Sequence, residues 1–92
     1  MPRDKRPPEE GDIILVRWHD TTGRGRWVDR PEAKKDKALS INTVGYYLNE
    51  DKQVVRLHSQ SCDEDKQVSD THVLPKGMIK SISVIKRGKR RK

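Results

Sequence analysis

The chain has 92 residues, of which 30% are hydrophobic and 38% are charged, and it contains no Phe. These values allow one domain with a small core. No apolar run approaches the ~18 residues of a membrane-spanning segment, residues 1–10 lack the apolar stretch of a signal peptide, and the single cysteine, Cys62, excludes an internal disulfide. We therefore expect a cytoplasmic protein that does not associate with a membrane.

The formal net charge is +7, and it is distributed unevenly along the chain. Residues 86–92 contain six Lys or Arg and no acidic residue, whereas residues 11–85 contain 12 Lys or Arg against 11 Asp or Glu. A basic chain favours nucleic acid as a partner. Here the excess positive charge belongs to a tail, and the predicted domain is almost neutral.

The first strand of the domain follows a polar N-terminal segment. Residues 1–10 contain three Pro and six charged side chains, which predicts a disordered arm. Residues 12–18 then alternate in a strand pattern that places Ile14, Val16 and Trp18 on one face. The run of four apolar residues within this segment indicates a strand that is covered on both sides.

A β-hairpin is the clearest local signal in the middle of the chain. Residues 30–38 before it begin with Arg-Pro-Glu and predict an exposed helical turn. Residues 39–48 and 53–59 then predict two strands joined by a polar turn. The residues expected to share a face are Val44, Tyr46 and Leu48 in the first of these strands and Val55 and Leu57 in the second.

The C-terminal third predicts two further strands after a polar loop. The segments are a loop at 59–70, a short strand at 71–74, a 3₁₀ turn at 75–79, a strand at 80–85 with Ile82 and Val84 on one face, and a disordered basic tail at 86–92. Five short antiparallel strands without a long helix predict an all-β fold, a small SH3-like barrel over residues 11–85. An OB-type barrel is the alternative, but it normally places a helix between its third and fourth strands.

Four spaced elements carry a resemblance to known proteins. They are VRWHD…GRGRW at 16–27, TVGYYL at 43–48, QVVRLHSQS at 53–61 and LPKGMIKSISVI at 74–85. In this order they resemble a group of small phage-encoded proteins that share a Trp-x-Asp, a Gly before a second Trp, a Val-Gly-Tyr-x-Leu strand and a Leu-Pro-Lys. The resemblance implies a phage origin and a compact β fold, but no particular activity. The chain departs from the group at Arg24-Gly25-Arg26, where the group more often has a Gly next to the second Trp.

The segment 17–27 allows two interpretations. Its arginines are suited to phosphate contacts and its tryptophans to base stacking. Alternatively, Trp18 lies on the core face and Trp27 closes over it, as the burial tendency of large aromatic side chains suggests. We expect a structural role for the aromatic residues Trp18, Trp27 and Tyr46, and a binding role for the arginines Arg17, Arg24, Arg26 and Arg30.

The tail is the second candidate for nucleic-acid binding. Its cations are Lys86, Arg87, Lys89, Arg90, Arg91 and Lys92. A flexible cationic arm binds phosphates without sequence preference and with a steep dependence on salt. The alternative is an end that only increases solubility. The acidic run at 63–65 predicts a solvated loop, and we also consider that it attracts the tail.

Metal binding and catalysis have little support in the sequence. The spacing of His19, His58, Cys62 and His72 matches no common zinc pattern, and there is no Gly-rich phosphate loop or carboxylate pair. We therefore predict a non-enzymatic protein without metal or cofactor. The first hypothesis is a phage accessory protein that contacts nucleic acid. The alternative is a protein–protein interaction module that binds a host factor through an edge strand or the segment 17–27.

Overall fold

The computed structural model of the protein describes residues 6–20 and 27–88. The elements in chain order are β1 (Ile13–Asp20), α1 (Arg30–Ala33), β2 (Leu39–Glu50), β3 (Val54–Cys62), β4 (Gln67–Pro75), a 3₁₀ turn (Lys76–Met78) and β5 (Ile79–Lys86). Within these ranges, no helix has the length and apolar character needed to cross a membrane.

The five strands form one antiparallel sheet in the order β4-β3-β2-β1-β5. Strands β1 to β4 follow one another as a meander, and β5 returns after the 3₁₀ turn to pair with the other side of β1. The predicted all-β fold of five antiparallel strands is therefore confirmed. The sheet is not closed into a barrel, because β4 and β5 remain as its two edges.

One face of the sheet, which we call the enclosed face, carries the core. Its buried side chains are Ile14, Val16, Tyr47, Val55, Leu57 and Leu74, and Trp18, Ile79, Ile82 and Val84 pack against them. The described residues include no second sheet or long helix above this face, so these side chains are buried mainly against one another. Burying one such aliphatic side chain contributes about 1.5–3 kcal/mol.

Strand β2 presents a different face to the core than the sequence pattern suggests. Tyr47 is 7% exposed and belongs to the core, whereas Tyr46 is 40% exposed and lies on the opposite face. Gly45 also faces inward, where the chain of β3 approaches so closely that a Cβ would lie 2.8 Å from the His58 carbonyl oxygen. The expected structural role of Tyr46 in the core is therefore wrong, since its neighbour Tyr47 has that role.

The segment 59–70, predicted to be a polar loop, forms most of a β-ribbon. Strand β3 continues to Cys62 and β4 begins at Gln67, so only four residues form the turn. Lys66 closes this turn with a φ of 61°. Beyond His58 the ribbon no longer pairs with β2 and is exposed on both faces, so no alternation of apolar residues marks it. Backbone pairing with the adjacent strand is sufficient for a hairpin of this kind.

The other elements agree with their sequence signals. Helix α1 is a single exposed turn with Pro31 near its start. Strand β5 directs Ile82 and Val84 to the core, and the 3₁₀ turn falls within the range predicted for it. Trp18 also packs against the core, and its indole Nε1–H donates a hydrogen bond of 2.9 Å to Thr43 Oγ1 on β2.

Candidate functional site

The face of the sheet opposite the core is accessible over most of its area, and we call it the open face. Side chains alternate between the two faces of a strand, so the register assigns each residue to one of them. Leu15 of β1 defines this face, because it pairs with Val44 on β2 and with Ser83 on β5. The face includes Ile13, Leu15, Arg17, Asn42, Val44, Tyr46, Arg56, His58, Thr71, Val73, Ser81, Ser83 and Lys86.

The two faces differ in the sign of their charges. Among the described strand residues, the open face carries the cations Arg17, Arg56 and Lys86 and no Asp or Glu. The carboxylates of the strands alternate to the other side, where Asp20 follows Trp18 by two residues and Glu50 pairs with Val55. The domain is almost neutral in total, yet the strand residues of its open face include cations and no carboxylate.

The cations of the open face are in two different environments. The Arg56 guanidinium donates to Asn49 Oδ1 at 3.1 Å and to Asp51 Oδ2 at 2.8 Å, so its charge is compensated. Backbone N–H groups of the turn and Arg56 lower the pKa of Asp51 to about 2. Arg17 and Lys86 are exposed and form no ion pair with a residue that the structure describes. These two side chains are therefore available to an anionic ligand.

An aromatic pair lies on the open face between strands β2 and β3. The Tyr46 ring stacks on the His58 ring with 5.4 Å between centroids and an angle of 25° between planes. His58 is 8% exposed, and its Nδ1 lies 3.0 Å from the Gln60 carbonyl oxygen. Tyr46 thus presents its ring to solvent on a support that is itself fixed in place.

Arg87, which the sequence assigns to a disordered arm, belongs to the folded body. Its guanidinium donates to Asp12 Oδ2 at 2.8 Å and to the carbonyl oxygens of Pro7 and Arg6. Asp12 is fully buried and also accepts hydrogen bonds from the backbone N–H groups of Glu9 and Gly88. We call this arrangement the terminal clamp. Arg87 therefore has a structural role in the folded body.

The terminal clamp determines where the rest of the tail begins. Gly88 lies against Gly11, and a Cβ on Gly88 would be 2.5 Å from the Gly11 carbonyl oxygen. Lys86 pairs with Ile13 at the start of β1, which is one corner of the open face. The predicted contacts Lys89, Arg90, Arg91 and Lys92 lie outside the described residues, and so do Arg24 and Arg26. The chain enters the basic tail at this corner.

The segment around α1 differs from its prediction at one aromatic residue. Trp27 is completely exposed, so the expectation that it closes over Trp18 is wrong. The packing of Trp18 is completed instead by side chains of β5 and by Thr43. Arg30 begins α1 and is exposed, but no described strand brings it to the open face.

On the enclosed side, a polar cluster joins the end of β2 to the 3₁₀ turn. The Tyr47 hydroxyl donates to Glu50 Oε1 at 2.9 Å, and Lys76 forms an ion pair with the same carboxylate. Burial, followed by the nearby Glu50 carboxylate, raises the pKa of Tyr47 to about 12. Hydrogen bonds from Lys76 and Tyr47 hold the pKa of Glu50 below its usual value. These contacts fasten the rim of the core.

The metal candidates of the sequence are dispersed over the sheet. Within residues 6–20 and 27–88, no three His, Cys, Asp or Glu side chains gather as a metal site would require. Cys62 is exposed at the end of the ribbon, and its Sγ lies 3.5 Å from Glu64 Oε2. The acidic residues 63–65 form the turn of that ribbon.

Sequence reasoning missed the exposed position of Tyr46 and its stacking on the buried His58. Gly45 is the signal that could have found them, because a small residue in a strand often marks a close approach of another chain segment. Gly45 therefore faces the packed side of the sheet. Because side chains alternate along a strand, its neighbour Tyr46 faces the exposed side. No protein family, curated protein or solved structure matches this chain.

Proposed function

We propose that this chain is a non-enzymatic phage accessory protein, with a β domain of SH3-like size, that contacts nucleic acid through a basic surface and a basic arm. The strand order supports the SH3-like description, since β5 returns to β1 after a 3₁₀ turn. The phosphate contacts are Arg17 and Lys86 on the open face, Arg24, Arg26 and Arg30 between β1 and β2, and Lys89, Arg90, Arg91 and Lys92 in the arm.

The observation that carries this proposal is the segregation of charge between the two faces. A polyanion placed on the open face meets Arg17 and Lys86 and no strand carboxylate. The arm adds four more cations that start from the same corner of the sheet. Such an arrangement gives affinity from phosphate contacts and little choice of sequence.

The test is a salt titration of oligonucleotide binding by fluorescence anisotropy. We expect micromolar affinity at low salt that falls steeply as salt is added. For a single strand, each lost phosphate contact reduces the slope of log K against log salt by about 0.7. Arg17→Gln with Lys86→Gln should therefore lower the slope by about 1.4. The matched control, Lys34→Gln with Lys35→Gln, removes two exposed lysines that lie just after α1 and should leave it unchanged.

The arm is tested with a chain that ends at Gly88. This truncation removes residues 89–92 and keeps Arg87 and Gly88 in the terminal clamp. We expect a weaker complex and a lower slope, by up to about 2.8 if all four cations contact phosphates. Absence of binding at low salt, or a slope that neither variant changes, would overturn the proposal.

The alternative function is a protein–protein module that binds a host factor. The complete exposure of Trp27 favours it, because tryptophan is enriched among residues that dominate binding energy at protein interfaces. The unpaired edges of β4 and β5 offer a second docking mode, by strand addition. Nuclease-resistant recovery of one host protein, followed by weaker binding of the purified partner to Trp27→Ala, would support this alternative.

A further inference from the structure

We propose that the open face binds a single strand of nucleic acid, with one base stacked on Tyr46 and the backbone phosphates held by Arg17 and Lys86. This inference rests on the proposed function and specifies its ligand. The distinctive observation is an aromatic ring that is 40% exposed on a surface that carries cations and no strand carboxylate. Stacking on aromatic side chains beside a cationic track is the usual mode of single-strand binding.

The Tyr46 ring is held in a fixed orientation before any ligand arrives. One side of the ring stacks on His58, which is almost fully buried and close to the Gln60 carbonyl oxygen. The backbone beneath is equally constrained, because Gly45 lies in contact distance of the β3 main chain. A rigid ring loses little conformational entropy when a base stacks on it, and this favours binding.

Both cations lie on the β1 and β5 side of this ring, at distances that a nucleic-acid strand can span. Tyr46 pairs with Ile13 on β1, and Ile13 pairs with Lys86 on β5, so this cation is two strands away. Arg17 lies four residues further along β1 than Ile13, which is about 13 Å at ~3.3 Å per residue. Phosphates of a stacked strand are about 3.4 Å apart along its axis. The two cations thus span several nucleotides.

The surface beside the cations matches the chemistry of bases and sugars. Ser81 and Ser83 of β5 provide small hydroxyl groups there, and Leu15 and Val44 provide apolar contacts. Within the described residues, α1 is the one α-helix and has four residues, so no long helix is present to enter a major groove. A base is also unable to stack on Tyr46 while it is paired inside a duplex. These features favour a single strand over a duplex.

The test compares an oligothymidylate of about 12 nucleotides with the same strand annealed to its complement. The wild-type protein should bind the single strand at least about 10-fold more tightly than the duplex. Tyr46→Ala should weaken single-strand binding by about 10-fold or more, the loss of one stacked base. Tyr46→Phe keeps the ring and should bind like the wild type. Val68→Ala removes a side chain of similar exposure on the ribbon and should have no effect.

A measurement on the unmodified protein guards against misfolding of Tyr46→Ala. In NMR titrations, the ring protons of Tyr46 should shift upfield when the oligothymidylate is added, since a stacked base shields them. Salt-dependent binding with unshifted Tyr46 protons and equal affinities for Tyr46→Ala and wild type would overturn this inference and leave the proposed function intact. Failure to bind either oligonucleotide at low salt would overturn both. Saturable binding of an acidic peptide at Tyr46 instead would assign the face to a protein ligand.

Discussion

The two faces of the sheet are built from alternate residues of the same strands, yet they have opposite physical character. The enclosed face carries the fully buried Ile14, Val16, Val55 and Leu57, with strand carboxylates at its rim. The open face carries small hydroxyls, isolated apolar side chains, an exposed tyrosine and cations. The period of two therefore separates stability from ligand binding, so that a substitution should affect one of these properties and spare the other.

The largest expected effect is the truncation of a side chain in the enclosed face. Leu57 is fully buried, and Leu57→Ala should lower the free energy of unfolding by about 2–5 kcal/mol, because it removes apolar contacts and leaves a cavity. On the open face, Val44 is 53% exposed, and Val44→Ala should change this free energy by less than about 0.5 kcal/mol. Urea denaturation measures both. Similar losses for the two variants would contradict the division between the faces.

Loss of the terminal clamp should have the second largest effect on stability, because the clamp holds the Asp12 carboxylate out of contact with water. Asp12→Asn removes the charge that compensates Arg87, whose side chain is 19% exposed. Breaking such a buried pair costs about 3 kcal/mol, and the partial exposure of Arg87 places the loss at the lower end of that effect. Thermal unfolding measures it. Asp51→Asn is the control, since it removes the charge of an exposed pair with Arg56 and keeps an Oδ1 acceptor for the backbone of the turn; an equal loss would show that burial is not the cause.

A substitution at Gly45 tests whether the packing of β2 against β3 controls the position of Tyr46 on the open face. The Cβ of Gly45→Ala would lie 2.8 Å from the His58 carbonyl oxygen and 3.0 Å from Leu57 Cδ1, so β3 must move. Overpacking of this kind costs about 1–3 kcal/mol, and it should also disturb the His58 support of Tyr46 and weaken oligonucleotide binding. Gly77→Ala is the matched control, because no atom lies within 4 Å of its Cβ. A stable Gly45→Ala protein with unchanged binding would refute this coupling.

The last expected effect is a pH dependence at the rim of the enclosed face, and it is confined to alkaline solution. The pKa of Tyr47 is raised from 10 to about 12 in the folded state. Between these pH values the unfolded chain loses the phenol proton and the folded chain keeps it, so the free energy of unfolding falls as pH rises. Below pH 10 the contribution is fully present. Denaturation of Tyr47→Phe between pH 9 and pH 12 should show a shallower decline than the wild type, and parallel declines would exclude Tyr47 as the source.

The sequence predicted this protein best where one strand can be recognised on its own. The alternation in β1, β3 and β5 identified the core residues Ile14, Leu57 and Ile82, because a period of two with apolar residues on one side is a local property. The exposed turn at α1 was found from another local signal, the Arg-Pro-Glu at its start. The candidate site was predicted only in part: Arg17 and Lys86 lie on the open face, whereas Arg87 is a clamp residue.

The chain by itself determined the number of strands, most of the core and the concentration of positive charge in the last seven residues. Only the tertiary structure decided which of the adjacent Tyr46 and Tyr47 turns inward, because both alternations along β2 are apolar and the approach of β3 at Gly45 selects one. It also decided that segment 59–70 forms a ribbon and that Arg87 meets Asp12. These outcomes depend on pairings between distant residues, which local pattern does not encode.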